Sequence, residues 1–204
     1  MGKLYEGLTP ALREFIAQAP MYFAATAPLS ADGHVNVSPK GGMDTFAVLD
    51  DTTVAYLDLI GSGAETIAHV RESGRITLMF CSFTRRPKTL RLYGTARCVF
   101  PDAPEWDALI GHFGKHPIPR SIVVVSLTRI TDSCGFTVPE MTLVRERDLQ
   151  DQWGMRKSDQ ALEDYMREKN TSSIDGLPAR PVRAVRAADP AEDVPTPTGV
   201  ADRS

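Results

Sequence analysis

The sequence predicts a mainly β protein with flanking helices, its strands closing into an antiparallel barrel. Two observations carry this. The middle of the chain, residues 21–130, holds short alternating or β-branched runs bounded by turn residues. Helical patterns between those runs are few and short, whereas a parallel doubly wound sheet needs a helix between nearly every pair of strands.

The elements follow in order. Thr9 suits a helix cap, Pro10 the first helical position, and Leu12, Phe15 and Ile16 form one apolar stripe that Pro20 ends. Residues 21–27 and 34–38 flank Asp32-Gly33 and read as a hairpin. Residues 46–49 and 53–59 form a second pair around Asp50-Asp51. In the latter run Val54, Tyr56 and Asp58 alternate with Ala55, Leu57 and Leu59, so both faces are expected to be covered. Residues 62–72 switch to helical spacing, with Gly74 at the helix end. Two long strands, 75–83 and 89–100, are joined by Thr84-Arg85-Arg86-Pro87-Lys88. Pro104 opens a helix through Phe113, 121–130 is a β-branched strand, and 146–157 and 159–169 are helical, the second capped by Ser158.

Composition narrows the function classes. The chain has 204 residues, 42% apolar and 24% charged, enough for one buried core. Its net charge of −3 gives no basic excess for nucleic acid or membrane surfaces. Cys81, Cys98 and Cys134 lack C-x-x-C spacing and read as reduced thiols, which with no signal-like segment in Met1 to Gln18 predicts a soluble cytoplasmic protein. No apolar run reaches the length of a membrane span. Residues 1–178 read as one domain. Residues 179–204 carry four prolines, mixed charge and no aromatics, and read as a disordered C-terminal tail.

Three segments carry candidate chemistry. Leu59-Ile60-Gly61-Ser62-Gly63-Ala64-Glu65-Thr66 sits at a strand-to-helix junction, where glycines admit a ligand and helix N–H groups receive anionic oxygens. Ser62-x-x-Glu65 reads as a capping box satisfying those donors internally, and this segment by itself favours that reading over an anion site. Asn36-Val37-Ser38-Pro39-Lys40-Gly41-Gly42 ends a strand with a hydroxyl and a lysine, suited to a polar ring and a phosphate or to plain solvent exposure. Lys88-Thr89-Leu90-Arg91 offers two cations, either for an anion or as a charged strand edge. His112 and His116 lack a third partner at metal-binding spacing and read as a surface helix end, so no metal site is predicted. Cys134 reads as a structural thiol, and no catalytic residue is assigned.

Taken in order, Ala24-Ala25-Thr26, His34 to Gly41, Val54 to Asp58 with Gly61-Ser62-Gly63, Gly74 to Cys81, Leu90 to Gly94 and Asn170 to Pro178 resemble the pyridoxamine 5′-phosphate oxidase-like proteins, in a bacterial-type branch. The resemblance covers residues 5–178. It implies a six-stranded antiparallel split β-barrel, a homodimer with FMN at the subunit interface, and a flavin-dependent oxidoreductase acting on a small molecule. Carried over by position, Val37, Ser38 and Lys40 lie along the ring and phosphate, and Asp58, Ser62, Gly63 and Thr66 surround the ribityl phosphate. Lys88, Thr89 and Arg91 reach the flavin, in some members from the partner subunit, while Asn170, Ser172, Ser173 and Asp175 belong to a closing C-terminal section. Where the oxidases resemble Ser-Arg-Lys, this chain has Ser62-Gly63-Ala64 followed by Glu65, which removes two cations and argues against vitamin B6 oxidase activity. The same barrel admits a non-catalytic flavin carrier or redox sensor, or a deazaflavin or haem ligand.

Overall fold

A computed structural model of the chain describes residues 2–179. Residues 180–204, most of the predicted tail, lie outside the described residues. Eight strands form one sheet: β1 (Leu4–Tyr5), β2 (Met21–Thr26), β3 (Asn36–Gly41), β4 (Phe46–Val48), β5 (Thr53–Leu59), β6 (Arg75–Cys81), β7 (Thr89–Val99) and β8 (Pro119–Ser133). The order is β3-β2-β6-β7-β8-β5-β4, with β1 against β8, and every pairing is antiparallel. The count exceeds the expected six. β1 is too short to show a period and is held instead by Asp132, which accepts from the Lys3 N–H at 2.9 Å and the Tyr5 hydroxyl at 2.6 Å. β4 is only three residues long.

The sheet must curl. Its two edges, β3 and β4, are consecutive in sequence, separated only by Gly42 and a 3₁₀ turn at Met43–Thr45. That connection reaches no more than about 17 Å. Phe46 on β4 lies 5.0 Å from the Tyr22 ring and 5.2 Å from Phe80, across the barrel, and Tyr22 lies 5.8 Å from Tyr56. These rings fill the interior with Val54, Leu78, Leu90, Leu92, Val123 and Val125. Helix α1 (Pro10–Ala17) inserts Leu12 and Ile16 into the same cluster; Thr9 caps it, accepting the Leu12 N–H at 3.4 Å, and proline occupies its first turn.

Strand β5 behaves as its alternation predicts. Val54 and Tyr56 face the barrel interior, while Ala55 and Leu57 join Val99, Ile122 and Val124 in a second cluster packed by α3 (Trp106–Ile110). β4 covers β5 only from Val54 to Tyr56, so Leu57–Leu59 has no paired strand on that side among the described residues. This is the split. Helix α2 (Glu65–Ser73) starts beyond it and ends at Gly74, whose φ of 69° is left-handed and favours glycine. Helices α4 (Leu149–Met155) and α5 (Asp159–Lys169) follow, and residues 170–179 form a strap folded on itself through a Ser172–Pro178 bridge. Ala179 is buried, with its N–H on the Thr171 carbonyl at 2.9 Å and its own carbonyl accepting from Arg71 at 2.8 Å.

Candidate functional site

The split encloses a cavity of about 310 Å³, near the lower end of the ~300–1,000 Å³ typical of small-molecule sites. Its walls come from β3, β5, the loop and first turn of α2, Arg120 of β8, and α4. Ser38 and Lys40 project from β3, whose even-numbered residues are half-buried while Val37 is exposed and Pro39 lies at the cavity's open edge. Asp58 projects from the uncovered end of β5, and Ser62, Gly63, Glu65 and Thr66 come from the loop into α2. Gln150 of α4 closes the rim and donates to the Ile60 carbonyl at 2.9 Å.

Charge in the cavity is organised around Asp58, which is 2% exposed. Its carboxylate accepts from Lys40 at 3.2 Å, from Arg120 Nε at 2.7 Å and from the Ser121 hydroxyl at 3.2 Å. Burial works against the charged form, but the Arg120 and Lys40 cations outweigh it and hold the carboxyl below its ordinary range. Arg120 also donates to the carbonyls of Gly63 at 2.7 Å and Gly61 at 3.4 Å, which ties the loop to β8. Sheet register explains its position: Asp58 pairs with Ser121 and Leu59 with Pro119, so Arg120 is the extra residue of a bulge.

A polar chain leads inward. Ser38 Oγ donates to Asn36 Oδ1 at 3.0 Å, and Asn36 Nδ2 donates to Thr26 Oγ1 at 3.1 Å and Thr66 Oγ1 at 3.0 Å. Thr26 Oγ1 lies 3.0 Å from Nδ1 of the fully buried His69. The strap docks alongside. Asn170 donates to the Gly61 carbonyl at 2.8 Å, the Ile174 N–H reaches Glu65 at 3.3 Å, and Asp175 holds His34 through its ring at 2.7 Å and its backbone N–H at 2.8 Å.

A model of the pyridoxamine 5′-phosphate oxidase family matches residues 8–134. The chain belongs to the pyridoxamine 5′-phosphate oxidase family. It is 33% identical over 192 residues, 85% of this chain and 76% of the relative, to the pyridoxamine 5′-phosphate oxidase family protein ustO of Aspergillus flavus. Among solved structures, HupZ of Group A Streptococcus is 23% identical with a TM-score of 0.47 over 60% of this chain and 90% of that one. An FMN-binding protein from Syntrophomonas wolfei is 15% identical with a TM-score of 0.41, covering 65% and 90%.

The family resemblance assigns fourteen residues to the site, and one chain brings six of them into one cavity: Ser38, Lys40, Asp58, Ser62, Gly63 and Thr66. Val37 points outward from β3 and is 59% exposed. Asn170 touches the loop at Gly61, and Asp175 sits on His34. Ser173 is buried and accepts the Leu177 N–H at 3.1 Å, and Ser172 bridges Pro178. Lys88, Thr89 and Arg91 lie elsewhere on the sheet. Arg91 pairs with Met79, Met79 with Phe23 and Phe23 with Pro39, three strand spacings or about 14 Å. Arg91 donates to Ser133 at 2.9 Å, Thr89 is buried, and Lys88 lines a separate groove of about 490 Å³ with Phe15, Ser82, Arg86 and Met141.

Two readings change. Ser62 and Glu65 make no capping box: α2 begins at Glu65, its cap is Ala64 with no side-chain bond, and Ser62 is exposed. The Glu65 carboxylate instead folds back onto the Ala64 N–H at 3.0 Å. His116 is not at the surface. Its side chain is 11% exposed, with Asp151 at 3.1 Å and Asp44 at 3.4 Å on its two nitrogens. No cluster of three or more metal-ligating side chains occurs among the described residues. Sequence reasoning misses Arg120 and Gln150. A lone arginine ahead of the β-branched run 121–130 is the available signal for the first; an exposed-looking helix gives none for the second.

Proposed function

We propose that this family member binds a flavin, FMN in the reading from resemblance, in the split between β3 and β5, and serves as a flavin-dependent oxidoreductase acting on a small molecule. The observation that carries this is convergence. Ser38, Lys40, Asp58, Ser62, Gly63 and Thr66 come from separate elements, match the family's flavin positions, and line one cavity. The lining suits the hydroxyls and ring carbonyls of such a ligand: the Ser62 and Thr66 hydroxyls, the Lys40 ammonium and the Gln150 amide can donate, and Ser38 Oγ can accept.

A bound flavin supplies the hydride or electron chemistry itself. The chain's residues bind, orient and shield. Asn36 fixes the hydroxyls of Ser38 and Thr66, and Arg120 fixes the Gly61–Gly63 loop. The strap and Gln150 limit water at the rim.

The reading includes a homodimer. Lys88, Thr89 and Arg91 then reach the flavin from a second copy, which accounts for their distance from the cavity of their own chain. Phe136, Met141, Leu143 and Val144, each more than half exposed in the segment between β8 and α4, suit burial against that copy. The reading also keeps a cytoplasmic location. No helix among the described residues is long and apolar enough to cross a membrane.

Flavin fluorescence quenching on titration tests binding, and anaerobic mixing with NADH or NADPH tests turnover. Saturable quenching with reductant-dependent bleaching is expected. Quenching without bleaching by either donor points to a carrier or sensor. A haem or deazaflavin carried through purification displaces flavin from the account.

A further inference from the structure

The polar end of the cavity is already electrically complete. Its lining contributes two cations, Lys40 and Arg120, and two carboxylates, Asp58 and Glu65. Both cations are held by Asp58, and Arg120 is further committed to the Gly61 and Gly63 carbonyls. Glu65 occupies the other place an anion would take. One carboxylate oxygen accepts the Ala64 N–H and the other the Ile174 N–H, so a negative charge already sits at the start of α2. The loop is shaped around this. A Cβ at Gly63 would lie 2.9 Å from the Glu65 carboxylate, so any larger residue there would displace the acid from its present position.

Resting on the flavin reading, we propose that this site draws its affinity from the ring and ribityl hydroxyls and gains little from the phosphate, so that riboflavin and FMN are bound about equally. A phosphate monoester carries about −1.5 to −2 charges at neutral pH. To grip it, Lys40 must share its charge between the phosphate and the buried Asp58 carboxylate, and the anion must sit beside Glu65. Weaker compensation of the buried Asp58 carboxylate and like-charge repulsion both oppose that. Asp58 and Glu65 are therefore specificity-determining residues, excluding a compact dianion from a pocket that accepts neutral hydroxyls.

The full chain and its Glu65→Gln and Asp58→Asn variants are titrated with riboflavin, FMN and inorganic phosphate, by flavin fluorescence and calorimetry. Wild-type protein is expected to bind the two flavins within about threefold of each other and to give no heat with millimolar phosphate. Glu65→Gln should tighten FMN about three- to tenfold relative to riboflavin measured on the same variant, because the charge it removes repels the phosphate alone. Asp58→Asn should do the same more strongly. It leaves Arg120 buried without its partner, so the half-buried Glu65 carries the test if that variant fails to fold. FMN binding more than about thirtyfold tighter than riboflavin, or submillimolar phosphate binding by the wild type, overturns the inference. If neither flavin binds while phosphate is silent with wild type and bound by Glu65→Gln, the flavin reading fails and the charge inference stands.

Discussion

Asp58 and Arg120 make the site at the scale of single residues. Both are more than nine-tenths buried, and each is the other's main compensation. Arg120→Met leaves a buried carboxylate with only Lys40, and should destabilise the fold by about 3–5 kcal/mol, read from the urea midpoint. The double change Asp58→Asn with Arg120→Met should recover most of that loss. The pH dependence has a definite sign. Because the folded-state value of Asp58 is depressed, its contribution is present above the ordinary carboxyl value of 3.8 and is lost as pH falls through the folded value. Urea midpoints taken downward from about pH 4 should fall less steeply in Asp58→Asn than in wild type. The cysteines separate in the same way. Burial, reinforced by nearby Asp58, pushes the Cys98 thiol up to about 12, so it stays protonated, while Cys134 is exposed. At mildly alkaline pH, alkylation followed by peptide mass mapping should label Cys134 and leave Cys98 unmodified in the folded protein.

At the scale of elements, the strap and the cap of α2 are the points to test. The strap is held by side chains from distant parts of the chain: Asn170 on the Gly61 carbonyl, Asp175 on His34 and Arg71 on the Ala179 carbonyl. Asn170→Ala should leave the barrel's melting temperature nearly unchanged while accelerating proteolytic cleavage between residues 170 and 179, because local opening needs fewer bonds broken. Gly74→Ala should cost about 1–2 kcal/mol, since φ is 69° and a Cβ there would press on Thr95 and Ala96. Elements are the most legible level of the sequence. The alternation in Thr53–Leu59, the cap and proline of α1, Ser158 before α5 and Gly74 after α2 are local signals, and the structure carries each of them. β1 and the start of α2 are not legible. The first depends on a distant Asp132, and the second on where Glu65 finds its hydrogen bonds.

At the scale of the whole molecule, the curled sheet follows from edges joined by a short connection and from an aromatic cluster that spans the interior. Residue pattern points to the barrel but not to the split, which arises because β4 ends opposite Tyr56 while β5 continues. In the sequence Asp58 reads as a ligand-facing acid. Its cross-strand setting, with Arg120 displaced by a bulge into the same pocket, emerges only from register. The central claim is that this pocket holds a flavin. The most direct measurement is the visible spectrum of the full chain after FMN is added in excess and unbound ligand is removed by desalting. The account predicts a retained, red-shifted flavin band with about one flavin per chain, and loss of most of that band in a Lys40→Ala, Ser38→Ala double variant that stays folded. Colourless protein after desalting, with no heat on direct titration, would contradict it.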